Sequence, residues 1–400
     1  MKFIAVTEQP ELKYSRARLS DVKKIIANVN NKIKTSFTEQ PQIIIGFISK
    51  YYSSHYEYVS SQVMAVLKPK LFIGCSAEDI VSSGMEVKDA MTFLIANLDE
   101  VQVNVFHIND SDLPDEDASP MAWEELIKVK ASDKPKFLLF PEPFSSSADY
   151  LVKGLDYAYP NCVKVGGIPS GGYDPQEIAL FYNDQVFYEG ILGITLVGNL
   201  SIDTILAHSY KPIGKSYVIT KADRNYLYEL NNQNALTVIK DLLTSLNENE
   251  RELSKKSMLI GILGNEFKTD IASDDFLIRE LVGLEINHGA LVIGEFLQTG
   301  KTIQFHVNDS ALAIEDLRFK LNNYRKTHNL DSDQTAALIF SCLSRKDNYG
   351  YNQDGSYFKD YFKNIPLIGF FGNGEIAPTE NQTFVHGYTT LICIIKKEGQ

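Results

Sequence analysis

The stretch Pro366–Pro378 reads PLIGFFGNGEIAP and joins an apolar run to two glycines that bracket Asn373. An apolar run of this kind is typical of a strand that is buried on both faces. The glycines and the asparagine that follow predict a tight turn at the end of the strand. Glu375 comes directly after this turn, so we expect its carboxylate to point into any site formed there.

The same order of strand, helix, strand and glycine recurs along the chain. The strand pairs are QIIIGFIS with KLFIGCSAED, KFLLFPEP with VKVGGIPSGG, and TAALIFSC with PLIGFFGNGE. They align Gly74, Gly166 and Gly369, and a weaker copy, SMLIGILGNE, adds Gly261. The aligned glycines stand about 100 residues apart, which predicts an internal duplication of a unit of that length.

This repeated unit decides the predicted fold class. Strand-helix-strand units bury one sheet face under helices, which gives an α/β fold with helices packed on the sheet faces. The hairpin patterns IALFYNDQVFYEG and GALVIGEFLQTGKTIQFHVND add antiparallel pairing, so we expect mixed sheets. A chain of 400 residues is long enough for two such domains. We predict two related α/β domains, residues 1–229 and 230–400.

The bulk composition excludes several classes of partner. The net charge is −12 and the pI about 5.2, which argues against nucleic acid and anionic lipid as ligands. No window has the length of an apolar membrane span, and the N-terminus lacks the apolar core of a signal peptide. No pair of the four cysteines has CxxC spacing, so we predict no metal site and no cofactor. These features indicate a cytoplasmic protein with reduced cysteines.

Four segments of the sequence resemble one protein family. HSYKPIGKSYVITKADRNYLYELNNQNALTVIKDLL (His208–Leu243) resembles the centre of FIST proteins, which carry paired FIST-N and FIST-C domains. LFIGCSAEDIVSSG resembles the Ile-Gly-Cys-Ser turn of the N-terminal domain, and GFFGNGEIAP resembles the Gly-Glu-Ile-x-Pro turn of the C-terminal domain. FHVNDSALAIEDLRFKL is similar to the segment before a long helix, with Asn308 where the family commonly has arginine.

The resemblance implies a sensory module of signal transduction. Such a module would bind a small polar metabolite, such as an amino acid, and act through a signalling protein partner. We place the ligand at the interface between the two domains, where ligand sites are common. The residues predicted to bind it are Gly74, Cys75, Ser76, Gly166, Gly167, Ser170, His306, Asp309, Asn373, Gly374 and Glu375.

These residues suggest how the ligand is recognised. Turns at strand ends present backbone N–H groups, and three of them are expected to converge on one cleft. Glu375 would pair with a ligand's amino group, while Arg345 or Arg318 would take a carboxylate. His306 and Asp309, close together at a strand end, would form a polar pair.

Two alternative functions stay open from the sequence. One is an enzyme that uses Cys75 or Glu375 as its reacting group, with His306 or His386 as the base for a cysteine nucleophile. The other is a protein-interaction scaffold without a ligand. Packing also explains a cysteine or a glycine in a buried strand, so each of these residues has a purely structural interpretation as well.

Overall fold

The computed structural model describes residues 1–11, 16–349 and 353–399. The strands up to residue 208 are β1 (Lys2–Glu8), β2 (Ile43–Ser49), β3 (Leu71–Ala77), β4 (Ile80–Ser82), β5 (Met85–Val87), β6 (Met91–Asn97), β7 (Val101–Ile108), β8 (Lys136–Pro141), β9 (Lys164–Ile168), β10 (Leu180–Tyr182), β11 (Gln185–Phe187), β12 (Ile191–Gly198) and β13 (Ser201–His208). Next come β14 (Tyr210–Asp223), β15 (Tyr226–Leu230), β16 (Gln233–Asn234), β17 (Met258–Leu263), β18 (Phe276–Glu285), β19 (Ala290–Ile293) and β20 (Thr302–Asn308). The last are β21 (Ala336–Cys342), β22 (Leu367–Gly372), β23 (Gly374–Thr379), β24 (Gln382–His386) and β25 (Thr389–Lys396).

Helices connect many of these strands. They are α1 (Leu19–Ser36), α2 (Tyr56–Gln62), α3 (Pro120–Ile127), α4 (Ala148–Ala158), α5 (Ala235–Ser245), α6 (Glu248–Lys256), α7 (Ser310–Thr327), α8 (Leu343–Tyr349) and α9 (Asp354–Tyr361). Short 3₁₀ turns occupy Lys50–His55, Asp110–Asp112, Ala131–Asp133 and Ser273–Asp275, and a π turn occupies Val63–Leu67. Within the described ranges, no helix combines the length and the apolar character needed to cross a bilayer.

The chain divides into two compact units. The first unit comprises Met1–Ala207, Leu317–Val385 and Thr389–Gln400, and the second comprises His208–Asp316 and His386–Tyr388. Mixed sheets packed with helices confirm the predicted α/β class. The domain limits predicted from the sequence, 1–229 and 230–400, stay a prediction. A domain defined by common descent need not end at the same residue as a compact structural unit.

Three six-stranded sheets form the first unit. The first sheet has the order β1-β6-β2-β3-β10-β11, the second β24-β23-β9-β8-β12-β7, and the third β13-β25-β21-β22-β4-β5. Each sheet contains one parallel pair, which is β2–β3, β8–β9 and β21–β22 respectively. A helix connects the two strands of each pair, so all three predicted strand-helix-strand units are present. Their origin by duplication stays a prediction.

The glycines of these units lie inside strands, so the prediction that they form strand-end turns is wrong. Gly74, Gly166 and Gly369 are central in β3, β9 and β22. The residues that face them across the parallel pairs are Gly46, Leu139 and Ile339. A Cβ on each glycine would lie 1.7, 2.0 and 1.8 Å from the carbonyl oxygen of that facing residue. Close approach of two backbones therefore requires glycine here, rather than positive φ.

A single apolar core joins the three sheets. Residues of all three inner faces belong to it, and four phenylalanines lie at its centre: Phe47, Phe140, Phe340 and Phe370. Their ring centroids are 4.8 to 6.5 Å apart, in tilted and edge-to-face arrangements that aromatic pairs favour. The region enclosed by the three sheets is therefore packed with side chains.

Helices cover the outer faces of the three sheets. The helices α1 and α2 pack on the first sheet, α3 and α4 on the second, and α7 and α9 on the third. In α1 the buried residues Val22, Ile25, Ile26, Val29 and Ile33 follow the spacing of an amphipathic helix.

The second unit is built around a closed sheet. Its strand order is β14-β20-β17-β18-β19-β15-β16, and an additional pairing of β14 with β15 closes the first six strands into a barrel. Both neighbours of β17, which carries Gly261, are antiparallel to it. The segment around Gly261 therefore differs from the three parallel units, and the weak fourth copy lacks their form.

Candidate functional site

The segments that follow β3, β9 and β22 meet one another in the first unit. The backbone N–H of Ser170 donates to the carbonyl of Ser76 at 3.4 Å. The N–H of Asn373 donates in the same way to the carbonyl of Ile168 at 3.0 Å. Ser170 and Asn373 each stand four residues after their strand glycine, so equivalent bonds link the second segment to the first and the third to the second.

The hydroxyl of Ser170 supplies the link between the third segment and the first. Glu78 stands at the equivalent position of the first segment, and its N–H donates to the Ser170 Oγ at 2.9 Å. That hydroxyl in turn donates to the carbonyl of Phe371, whose own N–H reaches the carbonyl of Asp79 at 3.0 Å. We call the three segments, residues 76–79, 168–170 and 371–373, the turn ring.

The turn ring gathers nine of the eleven predicted binding residues in or beside it. These are Gly74, Cys75, Ser76, Gly166, Gly167, Ser170, Asn373, Gly374 and Glu375. The ring is joined by its own hydrogen bonds, and the phenylalanine cluster packs against Gly167, whose Cβ would lie 2.8 Å from the rings of Phe340 and Phe370. The three segments converge as expected. The sequence predicted a ligand cleft between them, but their backbones are hydrogen-bonded directly to one another.

Cys75 faces the packed core. Its side chain is fully buried, and this burial raises the pKa of the thiol well above its usual value. A nucleophilic cysteine needs the opposite shift. The geometry therefore gives no support to Cys75 as the reacting group of an enzyme.

A cavity of about 530 Å³ opens beside the turn ring. Its charged lining residues are Arg16, Lys50, Lys88 and Lys346 with Glu78, Asp79 and Asp89, and Ser49, Tyr51, Ser53 and Ser54 complete the wall. We call this cavity the charged cleft. Its volume suits a small metabolite. Four cations and three carboxylates within one small cavity suit a ligand that carries both signs of charge.

Two ion pairs connect the charged cleft to the turn ring. Lys50 Nζ lies 2.6 Å from Glu78 Oε2, and Lys346 Nζ lies 2.6 Å from Asp79 Oδ2. The first pair is partly open to solvent, whereas the side chain of Asp79 is only 6% exposed. Burial raises the pKa of Asp79, and the Lys346 ammonium opposes this shift.

These cleft residues were not among the binding residues predicted from the sequence. Lys346 lies on α8, although the polar stretch CLSRKDNYGYNQDGSYF that contains it predicts a loop from the sequence. Glu78 and Asp79 directly follow the Ser-Ala end of β3. Two adjacent acidic residues at a strand end were therefore the feature of the sequence that could have indicated this site. Residues 350–352 of that supposed loop lie outside the described residues.

A second cavity of about 510 Å³ lies on another side of the ring, beside Asn373 and the N-terminus of α4. The Asp110 carboxylate accepts bonds there from the N–H of Ser147 at 2.8 Å and from its hydroxyl at 2.5 Å. A carboxylate of the protein therefore already occupies this helix terminus, which makes the charged cleft the better candidate.

Glu375 belongs to a buried polar cluster at the end of β21. Its Oε2 accepts a 2.5 Å hydrogen bond from the Thr389 hydroxyl. Burial raises the pKa of Glu375 well above its usual value, and this outweighs the opposing effects of Thr389 and Arg345. Asp354 lies in the same cluster and raises the pKa of Glu375 further. The buried surroundings therefore favour the neutral form of the Glu375 carboxyl group.

The two arginines that the sequence offered for a ligand carboxylate have partners within the protein. Arg345 Nε and Nη2 donate to the two oxygens of Asp354 at 3.0 and 2.8 Å. The Arg318 guanidinium lies 5.5 Å from the ring centre of Tyr357. Carboxylate recognition is therefore better assigned to the lysines of the charged cleft.

Glu375→Gln is expected to raise the melting temperature at neutral pH. An amide replaces a carboxyl group whose neutral form is favoured in the folded state, whereas in the unfolded state the carboxyl group loses its proton near pH 4.3. Stability linked to Glu375 is therefore complete below that pH and decreases as the pH rises. The advantage of Glu375→Gln should grow from pH 4 to pH 8 in thermal unfolding.

The matched control is Glu39→Gln, at an exposed position of the same unit. It should shift the melting temperature little across this pH range. A Glu375→Gln variant whose advantage shrinks with rising pH would show that the buried carboxyl is ionised.

His306 lies in the second unit, on β20. Its ring packs 5.6 Å from Tyr210 and 5.4 Å from Phe276, and its Nδ1 lies 3.0 Å from the carbonyl of Gln304. Burial lowers the pKa of His306 to about 4, although the backbone hydrogen bond opposes this. The imidazole is therefore neutral at physiological pH, as expected for a packed core histidine.

Asp309, also in the second unit, caps a helix. Its Oδ1 accepts from the N–H groups of Ala311 and Leu312 at the start of α7, at 3.1 and 3.3 Å. Its Oδ2 lies 3.3 Å from Lys211 Nζ. These partners differ from those of His306, and a ligand contact by either residue stays a prediction.

Comparison with known proteins gives relatives along most of the chain. Two uncharacterised proteins of Mycobacterium tuberculosis are similar to it. One is 30% identical over 83% of this chain and 85% of its own, and the other is 28% identical over 89% and 91%. Human F-box only protein 22 is 28% identical over 18% of this chain and 22% of its own. A cyanuric acid hydrolase from A. caulinodans aligns over 99% of both chains with 8% identity and a TM-score of 0.33, a likeness too weak to carry an argument.

Family models match both halves of the chain. The FIST N domain model matches residues 42–233, and the FIST C domain model matches residues 235–378. FIST domains are associated with sensing in signal transduction. The charged cleft and the turn ring contain residues from both matched stretches, with Lys346 and Phe371 from the second. The chain belongs to the FIST family, with a FIST N domain followed by a FIST C domain.

Proposed function

We propose that this protein is a cytoplasmic sensor that binds a small polar metabolite in the charged cleft. The observation that carries the proposal is the pair of salt bridges, Lys50–Glu78 and Lys346–Asp79, on the wall of a 530 Å³ cavity. A suitable ligand carries an ammonium and a carboxylate group, as an amino acid does. Its ammonium group would contact the carboxylates of the cleft, and its carboxylate group would contact the lysines.

The turn ring supports this proposal by fixing the acidic side of the cleft. Glu78 and Asp79 are themselves ring residues, and their backbone groups bond to Ser170 and Phe371. Preorganised charges bind more tightly because less conformational freedom is lost on association. In this proposal the ring residues position the charged groups. A direct ligand contact by the glycines, by Ser170 or by Glu375 stays a prediction.

The cleft also offers a route from binding to signalling. Lys346 comes from the FIST C stretch and Asp79 from the FIST N stretch, so a ligand that contacts both would favour one arrangement of these two segments. A protein partner that distinguishes the two arrangements would then respond to the metabolite. The partner is part of the proposal, as is the cytoplasmic location.

Binding should appear as a rise in melting temperature with a panel of free amino acids and related amines and carboxylates. A ligand present at 100 times its Kd stabilises the folded state by about 2.7 kcal/mol. Lys50→Met should abolish the rise while costing little stability, because the lysine is 42% exposed and exposed ion pairs contribute about 0–1 kcal/mol.

The matched control is Lys32→Met. Lys32 forms a 2.7 Å pair with Glu8 in the same unit, and neither residue lines the charged cleft. This variant should keep the full response. A panel that gives no response in the wild type would favour the scaffold alternative, and an equal response in Lys50→Met would place the ligand elsewhere.

A further inference from the structure

Strand β7 forms one edge of the second sheet of the first unit. It pairs with β12 over its whole length, from Val101 opposite Gly198 to Ile108 opposite Ile191, without a register shift. Its sequence, VQVNVFHI, has no charged residue and no proline. Gln102 is exposed, and Val103, Asn104 and Val105 are half-buried. An edge strand of this kind can accept another strand through its backbone groups.

Within the described part of the chain, the other edge strands of the three sheets have features that prevent pairing with another strand. Strands β5 and β11 have three residues each, and β24 has five. Strand β1 carries Lys2 and Glu8, and β13 carries Asp203. Short length and charge are the devices by which edges avoid pairing. Among these edges β7 is the one that is long, uncharged and unbulged.

A groove lies beside this edge. A cavity of about 620 Å³ runs between α3 and the outer face of β7 and β12, and Gln102, Asn104, Thr195 and Met121 are among its lining residues. Met121 is 65% exposed. Thr195 is fully buried, and no described residue hydrogen-bonds its hydroxyl. The edge and the groove together form a surface on which both backbone and side-chain groups can contact a partner.

We propose that β7 pairs antiparallel with β7 of a second copy of this chain. A register centred on Asn104 places Val103 of one copy opposite Val105 of the other, and the two Asn104 side chains opposite each other. Side chains alternate along a strand, so this register keeps the apolar face of each strand continuous with that of its partner. Within the two paired strands no charge faces a like charge, because VQVNVFHI has none. A second copy is therefore an occupant whose chemistry matches the edge.

Asn104 gives a direct test because it faces itself across the proposed axis. In sedimentation or light-scattering measurements over a concentration series, the wild type should reach twice its 45.0 kDa chain mass. Asn104→Lys and Asn104→Asp should each raise the dimer dissociation constant at least about tenfold, because like charges would then lie opposite each other. Mixing the two variants should restore a dimer of one copy of each.

The mixture also separates lost pairing from lost folding. Both variants lose the bond from Asn104 Nδ2 to the carbonyl of Ile127, so misfolding would not be repaired by mixing. Gln382→Lys, at the opposite edge of the same sheet, should leave the dimer intact. A wild type that stays at 45.0 kDa, an Asn104→Lys variant that still dimerises, or a mixture that does not recombine would overturn the proposal.

Discussion

Gly74→Ala, Gly166→Ala and Gly369→Ala are each expected to prevent the first unit from reaching its native fold, or to destabilise it by more than about 4 kcal/mol. The added Cβ would lie 1.7 to 2.0 Å from a backbone carbonyl oxygen of the neighbouring parallel strand. A flexible side chain could move away, but a carbonyl within a paired strand can move only if the pairing opens. Each variant therefore disrupts the hydrogen bonding of one of the three parallel strand pairs.

Tryptophan fluorescence provides a suitable measurement. Trp123 is the only tryptophan of the chain, and it is buried in the first unit. Its emission during urea unfolding therefore reports on this unit. We expect the three variants to give low soluble yield or an early transition.

Two other glycines supply graded controls. In Gly46→Ala the nearest atoms would be the side chains of Phe72 at 2.8 Å and Phe93 at 3.1 Å, so we expect an intermediate loss of about 1–3 kcal/mol. Gly283 is a strand glycine of the second unit, and a Cβ added there would have no heavy atom within 4 Å. Gly283→Ala should therefore be within about 1 kcal/mol of the wild type. If Gly74→Ala were as mild as Gly46→Ala in the same unit, the close-approach explanation would be wrong.

Asp354→Ala is expected to cost about 3–5 kcal/mol, because it removes a carboxylate that pairs with a buried cation. Arg345 is 3% exposed and bonds to both carboxylate oxygens of Asp354. Ser341 and Thr390 also donate to this carboxylate, at 3.1 and 2.5 Å. Removing it therefore disrupts the whole polar cluster at the end of β21.

The pH dependence of this effect should be opposite to that of Glu375. Burial works against ionisation of Asp354, but Arg345 and the hydroxyl bonds outweigh it and lower the pKa. Its contribution is therefore present at neutral pH and is lost as the pH falls through the lowered pKa. The gap between wild type and Asp354→Asn should narrow on acidification when Trp123 fluorescence follows unfolding.

A double substitution and a surface pair complete this experiment. Arg345→Met with Asp354→Leu removes both charges and should recover much of the loss, because replacing a whole buried pair is often neutral. Glu11→Ala breaks a pair with Lys24 that is largely exposed and should cost about 0–1 kcal/mol. A single Asp354→Ala variant no less stable than Glu11→Ala would mean that the Arg345 charge is not confined as the structure describes.

The buried strands of the first unit were readable from the sequence. QIIIGFIS, KFLLFPEP and TAALIFSC became β2, β8 and β21, with limits within a few residues of the apolar runs. A strand in a parallel pair is buried on both faces, so its side chains are uniformly apolar and its signal is strong. The recurring apolar runs also located the three strand-helix-strand units, whereas the copy around Gly261 lacks that form and the duplication stays a prediction.

The sequence did not show why the strands of the three units contain a glycine. A glycine is required by positive φ or by a close neighbour, and only the neighbour's position distinguishes the two. The partners in question are remote in sequence: Ser170 bonds across the turn ring to Phe371, 201 residues away. Asp354 is only nine residues from Arg345, but the two lie on different helices, α9 and α8, and the sequence does not show how these helices face each other.

The charged cleft was partly hidden for another reason. The Lys346 helix α8 is short and polar, so it has no apolar periodicity that would distinguish it from a loop. Glu78 was visible as an acid next to a strand end, but its lysine partner, Lys50, follows a different strand. Charged pairs of this kind become evident only when the topology brings two strand ends together.

Native mass spectrometry of the purified protein tests the central claim most directly, because it detects a retained small molecule whatever its identity. The account predicts an added mass, retained or acquired from the amino acid panel, on the wild type and on Lys32→Met but not on Lys50→Met. An added mass that persists unchanged on Lys50→Met, or no added mass on any form with any member of the panel, would contradict ligand binding in the charged cleft.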